Sequence, residues 1–113
     1  VITYWHYPKC SKSRAGLALI EERGAEVRTR VYLEDAPSVE ELKSVQAALG
    51  VAAIGLMRTG EKVFKELGLT KDSPEQDLLA AMAAHPILIE RPIAIKGNKA
   101  VIGRPTEAIA ALL

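Results

Sequence analysis

The chain's one cysteine, Cys10, lies in the stretch His6-Tyr7-Pro8-Lys9-Cys10-Ser11-Lys12-Ser13-Arg14, between an apolar run ending at Trp5 and a periodic run opening at Ser11. A thiol at a strand-to-helix junction meets backbone N–H groups that have no partner inside the helix. A thiolate there accepts hydrogen bonds and feels the positive end of the helix dipole, which makes it a nucleophile near neutral pH. The N–H groups of Ser11, Lys12, Ser13 and Arg14 also form the anion cradle expected of a helix N-terminus, so thiolate and oxyanion would share one positive end. The competing reading of Cys10 is a small buried hydrophobe. Ser13 either donates its hydroxyl to the Cys10 sulfur across a helical turn or caps backbone N–H groups. Arg14 either orients the loop or is a solvated charge.

Presenting such a thiol takes a buried strand before it and a helix after it. Val1–Trp5 is apolar, with β-branched and aromatic residues and no polar alternation, which predicts a central strand covered on both faces. Ala15, Leu17, Ala18, Leu19 and Ile20 follow helical spacing toward a solvated Glu21-Glu22-Arg23 end, with Gly24 as C-cap. Glu26–Leu33 alternates in part, as a strand with one exposed face does, and Glu34-Asp35-Ala36-Pro37 breaks it. Ser38 and Glu41 make a capping box for a helix to about Leu49, ended by Gly50. Val51–Met57 and Glu61–Leu67 read as short helical pieces. Ser73 reads as N-cap, with Pro74 at N1 and Gln76 at N3, of a helix through about Ala84 that His85-Pro86 stops. Pro92–Lys96 and Lys99–Gly103 form a hairpin about Gly97-Asn98, with glycine supplying the positive φ of a type II′ turn. Arg104-Pro105 starts a last helix, proline at N1, with Ala108, Ile109, Leu112 and Leu113 as its apolar stripe. This order predicts a single α/β domain over 1–113: a four-stranded mixed sheet flanked by helices, with an all-helical insert over about 51–85 between strands two and three.

Bulk properties narrow the function. The 15 basic residues against 14 acidic ones argue against nucleic acid as a partner, so any positive charge used in function is local. One cysteine forms no internal disulfide, which with no secretory signal makes a reducing, cytoplasmic setting the expectation. The longest apolar run, Leu78–Ala84, is far below the roughly 20 residues of a membrane helix, so no membrane partner is expected. Two histidines and one cysteine show no zinc-ligand spacing, so no metal is expected, and His85 is read as a structural residue closing its helix. Met57 and Met82 are read as core. Trp5 and Tyr7 either shield the loop or pack the strand end.

The order of elements, with a reactive cysteine at the first strand-helix junction and a proline opening the third strand, resembles the thioredoxin fold. The closer resemblance is to the glutaredoxin-linked arsenate reductase family. Its pattern His-x-Pro-x-Cys-x-x-Ser-Arg is matched by His6, Pro8, Cys10, Ser13 and Arg14, and its Tyr-Leu-Glu segment by Tyr32, Leu33 and Glu34. Leu56-Met57-Arg58, the run His85–Ile93 and the step Gly103-Arg104-Pro105 match as well, so the resemblance runs from end to end.

This resemblance implies reduction of arsenate to arsenite. Arg58, Arg91 and Arg104 stand on the positions of the arginines that bind and polarise the oxyanion, a task suited to a permanently charged planar fork. His6 is implied to help hold Cys10 as thiolate, as a charged neighbour or hydrogen-bond donor. The Arg91–Pro92 bond is expected to be cis, with Arg91 aimed at Cys10. No bound cofactor is implied. With no resolving cysteine in the chain, outside thiols are needed, and the resemblance implies glutathione as co-substrate and a glutaredoxin. The family commonly has asparagine where this chain has Tyr7, so a bulky phenol replaces an amide in the loop. Relatives in the family include regulators that bind RNA polymerase, which often carry a second cysteine where this chain has Ser13. Those regulators, and glutathione-dependent reductases of other substrates, are the alternative readings.

Overall fold

In the computed structural model, which describes residues 1–113, the strands are β1 (Ile2–His6), β2 (Val27–Val31), β3 (Ile93–Lys96) and β4 (Lys99–Ile102). They form one sheet of order β2-β1-β3-β4. β2 runs parallel to β1, while β3 is antiparallel to β1 and to β4. The parallel pair needs a crossover, which α1 (Ser11–Glu22) supplies, and the connection from β2 to β3 passes β1 to reach its other side. The apolar β1 takes the centre, as its lack of polar alternation predicts, and the result is the expected thioredoxin-like α/β arrangement.

The chain divides into two compact units, one of Val1–Asp35 with Arg91–Leu113 and the other of Ala36–Glu90. In the first, Ile2, Tyr4, Ile20, Ala94, Ile109 and Leu112 form a buried cluster, each large side chain stabilising it by about 1.5–3 kcal/mol. Gly16 makes this packing possible. A Cβ there would fall on the Tyr4 hydroxyl and 2.7 Å from Ile109 Cδ1, so only glycine lets α1 come this close to β1.

The second unit holds α2 (Val39–Leu49), α3 (Lys62–Glu66), α4 (Glu75–Ala84) and two short 3-10 turns, Ala53–Leu56 and Pro86–Leu88. It therefore takes in α2 as well as the expected insert. Leu42, Leu56, Leu78, Met82 and Leu88 are buried there. The Ala53 N–H donates to the Glu75 carboxylate at 3.0 Å, and Met57 pairs with Ile89. Met57 and Met82 are core residues, and His85 closes α4, whose last N–H bond it donates to Ala81.

Several elements differ from their predicted form. β2 stops at Val31 because the Val31 carbonyl accepts the N–H groups of Glu34 and Asp35, turning the chain before Tyr32 and Leu33 can join the ladder. Ser73 does not cap α4, since its hydroxyl accepts the Thr70 N–H at 2.9 Å and Pro74 stands at the cap position instead. The last helix is a 3-10 helix, Thr106–Leu112, with Pro105 before it rather than inside it. A three-residue period places Thr106, Ile109 and Leu112 in one row, with Ile109 and Leu112 buried and Leu113 left exposed. The hairpin turn agrees with type II′: Gly97 has φ +62° and Asn98 has no positive φ.

Candidate active site

Cys10 is the N-cap of α1, with φ −92° and ψ 123°, and the helix start has neither a side-chain cap nor an acidic residue in its first turn. The loop is fixed at both ends. The Cys10 N–H donates to the Tyr7 carbonyl at 2.9 Å, and Arg14 Nη1 donates to the Pro8 carbonyl at 2.8 Å. Arg14 therefore orients the loop through its side chain. Its N–H donates to the Cys10 carbonyl at 3.0 Å, which takes it out of the expected anion cradle. Burial pushes the Cys10 thiol up, but the Ser13 N–H, a hydrogen bond from Arg91, the Lys12 N–H and the Arg91 charge outweigh it, so the thiol titrates below the ordinary cysteine value.

Ser13 serves Cys10 through its backbone rather than its hydroxyl. Its Oγ accepts the Tyr7 N–H at 2.9 Å and shares a 2.7 Å hydrogen bond with His6 Nδ1. Neither the sulfur nor a free helix N–H receives that hydroxyl. Burial and then the Arg14 charge lower the His6 pKa, so the imidazole is neutral near neutral pH. His6 is thus not a charged neighbour of the thiolate; it pins Ser13, whose N–H faces the sulfur. On the same face of β1, the fully buried Tyr4 hydroxyl donates to the Ser13 carbonyl at 2.7 Å. One residue of the first helical turn is thereby held at its side chain by His6 and at its carbonyl by Tyr4.

Sheet register brings two of the predicted arginines to this loop. β1 and β3 pair Trp5 with Ile93, and β3 and β4 pair Ile93 with Ile102, so continuing both ladders sets Arg91 between Tyr7 and Arg104. The contacts agree. The Arg91 guanidinium lies 4.8 Å from the Tyr7 ring centroid. Arg104 Nε donates to the Arg91 carbonyl at 2.7 Å, and its Nη2 lies 3.7 Å from Cys10 Sγ. Arg91 also meets the buried Tyr32 side chain, and burial, which alone would lower its pKa, is outweighed by its bonds to Cys10 and Tyr32. Its Nε and Nη1 are buried without a hydrogen-bond partner. The Arg91–Pro92 and Arg104–Pro105 peptide bonds are cis. Arg58 lies in the second unit, where its guanidinium is divided between Glu61 at 3.1 Å and Glu90 at 3.2 Å.

Residues 5–112 match the ArsC family. The chain belongs to that family. Among relatives of this ArsC-family protein, the arsenate reductase of Neisseria meningitidis serogroup A is 47% identical over 114 residues, covering 99% of this chain and 97% of the relative. The arsenate reductase of Haemophilus influenzae is 41% identical and covers 99% of this chain and 98% of its own. The solved structure of the arsenate reductase from Vibrio cholerae superposes with a TM-score of 0.95 at 45% identity, covering 99% of this chain and 97% of that one.

Two residues that shape this loop's surroundings, Tyr4 and Gly16, escape a reading of sequence patterns, and a third, Gly103, is read only as part of the Gly103-Arg104-Pro105 step. Tyr4 looks like any core aromatic, although its place two residues before His6 puts both on one strand face. Gly16 interrupts a helical pattern, and that interruption is itself a sign of close packing. A Cβ on Gly103 would sit 2.8 Å from both Pro92 Cγ and Ile109 Cδ1, so glycine is required where the Gly103 N–H donates to the Pro92 carbonyl at 2.9 Å. Gly103 thus holds the backbone of Arg104 beside that of Arg91. No group of three or more histidine, cysteine or acidic side chains is placed to hold a metal ion, and no helix is long and apolar enough to cross a membrane.

Proposed function

We propose that this protein reduces arsenate to arsenite in the cytoplasm, with Cys10 as nucleophile and with glutathione and a glutaredoxin as the external thiols. The Cys10 thiolate attacks arsenic, and an S–As bond forms as one oxygen leaves as water. Glutathione replaces a second oxygen in the same way. A glutaredoxin thiolate then attacks the glutathione sulfur: a mixed disulfide forms, the electron pair of the broken S–As bond stays on arsenic, and As(V) becomes As(III). Water releases arsenite and returns Cys10 to its thiol state. Two external thiols are required because the chain has no second cysteine. In this reading Arg91 and Arg104 hold the oxyanion with the N–H groups of Ser11, Lys12 and Ser13, while His6 and Arg14 keep the loop in shape.

The observation that carries this reading is Arg91. Its guanidinium hydrogen-bonds Cys10 and lowers the thiol pKa, and Arg104 Nη2 lies 3.7 Å from the same sulfur. Two permanently charged forks at one thiolate would draw and hold an anion with several oxygens. The relatives' activity agrees with that chemistry. The test is arsenate-dependent NADPH oxidation coupled through glutathione, glutaredoxin and glutathione reductase. Wild-type protein is expected to turn over and Cys10→Ser to fall to background; full turnover by Cys10→Ser would refute the mechanism.

A further inference from the structure

Arg91 and Arg58 are each partly buried, and their charge is met in different ways. Two carboxylates take the N–H groups of Arg58. Arg91 has the face of Tyr7 at 4.8 Å, well inside the roughly 6 Å reach of a cation–π contact. The difference matters because a carboxylate accepts the in-plane N–H groups of a guanidinium and thereby uses them up. An aromatic face attracts the same charge from above the plane and accepts none of them. Arg91 is bonded to Cys10 and Tyr32, its Nε and Nη1 are buried without partners, and the Tyr7 face adds a hold that takes up no N–H group. The contact agrees with the strand ladder, since continuing the β1–β3 register past Trp5 and Ile93 sets Tyr7 against Arg91. Tyr7 is also fixed on its own side, where its N–H donates to Ser13 Oγ and its carbonyl accepts the Cys10 N–H.

We propose that Tyr7 is a positioning residue for oxyanion binding: its ring face, which takes up none of the N–H groups, joins the hydrogen bond to Cys10 in holding the Arg91 guanidinium beside the sulfur, so that its charge is set in place for the oxyanion. This rests on the reading of Arg91 as an oxyanion ligand. The Tyr7 hydroxyl has no part in it.

The test measures arsenate and sulfate binding calorimetrically in a Cys10→Ser background, which removes turnover. Tyr7→Leu, which fills space without a π face, is expected to weaken both anions by about two- to thirtyfold, the span of a cation–π contact. Tyr7→Phe keeps the face and is expected to stay within about twofold of the parent. Stepwise fluorination of the ring in the Tyr7→Phe protein drains the face at nearly constant shape and should lower affinity step by step, a response that packing alone does not produce. In the Cys10 protein, Tyr7→Leu should also raise the thiol pKa, since Arg91 is no longer held at the sulfur. Unchanged affinity in Tyr7→Leu, equal losses in Tyr7→Phe and Tyr7→Leu, indifference to fluorination, or no anion binding by the parent would each overturn the proposal. A wild-type protein that binds arsenate in this Tyr7-dependent way but does not reduce it refutes the function proposed above and leaves the role of Tyr7 standing.

Discussion

Helices α1 and α2 begin in opposite ways. At α2, Ser38 Oγ accepts the Glu41 N–H at 3.1 Å and Glu41 Oε1 accepts the Ser38 N–H at 3.0 Å, with Glu40 and Glu41 adding negative charge to the first turn. At α1 the cap position is Cys10, no side chain satisfies the first N–H groups, and the first turn carries no acid. A good N-cap contributes about 1 kcal/mol, and α2 takes that stability in full. α1 forgoes it, and its Lys12 and Ser13 N–H groups face the sulfur instead. One chain thus holds a closed helix start that serves stability and an open one whose N–H groups are left to a sulfur, and the residues around Cys10 do what a cap would have done. Tyr4 and His6 hold the turn at Ser13, Arg14 ties the loop, and Arg91 and Arg104 bring the charge.

The largest test of this contrast removes the charge from the open end. Arg91→Ala deletes a charge-assisted partner of the thiolate and, in our reading, of the oxyanion; at about 1.5–3 kcal/mol for such a bond, anion affinity should fall roughly ten- to hundredfold. The thiol pKa must rise, because the guanidinium favours the charged form of sulfur. Alkylation of Cys10 followed against pH should then show a higher midpoint than in wild type, with slower reaction below it. If the midpoint stays in place, Arg91 does not activate the thiol, and the helix end with Arg104 suffices.

A smaller effect is expected when the open end is made to resemble the closed one. Lys12 is exposed in the first turn of α1, and Lys12→Glu installs the kind of charge that α2 already carries. The carboxylate interacts favourably with the helix dipole by about 0.3–1 kcal/mol, so the melting temperature should hold or rise. The same charge competes with thiolate and anion, so thiol pKa should rise and sulfate affinity should fall about two- to fivefold at low salt, less at high salt. Stability and binding moving in opposite directions is the signature sought. A parallel loss of both would mean that the variant merely damages the helix.

How much of this was legible in the sequence follows from the range of the interactions involved. The α2 capping box, the Gly97 turn and the strand-cysteine-helix junction are written within a few residues, and the structure has each of them. The 3-10 helix at the C-terminus is not so written, because Ala108 and Leu113 extend an apolar pattern that fits an α-helical stripe, and only the packing of Ile109 and Leu112 selects the three-residue period. Local sequence leaves the Ser13 hydroxyl as either a donor to the Cys10 sulfur or a cap for backbone N–H groups, and its partners His6 and Tyr7 meet it through the packing of α1 on β1. In sequence, Arg58 and Arg91 are equivalent charges on positions that match the family. They differ through partners far along the chain, Glu90 for one and Tyr7 for the other, and no local pattern announces either.

The smallest effect on the site is expected from opening the closed end. Ser38→Ala removes the acceptor for the Glu41 N–H and unmakes the reciprocal bond of the capping box, at a cost of about 1 kcal/mol. For a chain of this size that corresponds to a melting temperature lower by roughly 4 °C. Ser38 lies in the second compact unit, and none of the groups that set the Cys10 thiol comes from α2. Thiol pKa and sulfate affinity should therefore match wild type within error while stability falls. The opposite pattern, a shifted thiol with unchanged stability, would show that α2 is linked to the cysteine loop and that the division of labour between the two helix starts is wrong. The comparison is sharpest when both variants are measured together, since Lys12→Glu should move the thiol without loss of stability and Ser38→Ala should lower stability without moving the thiol.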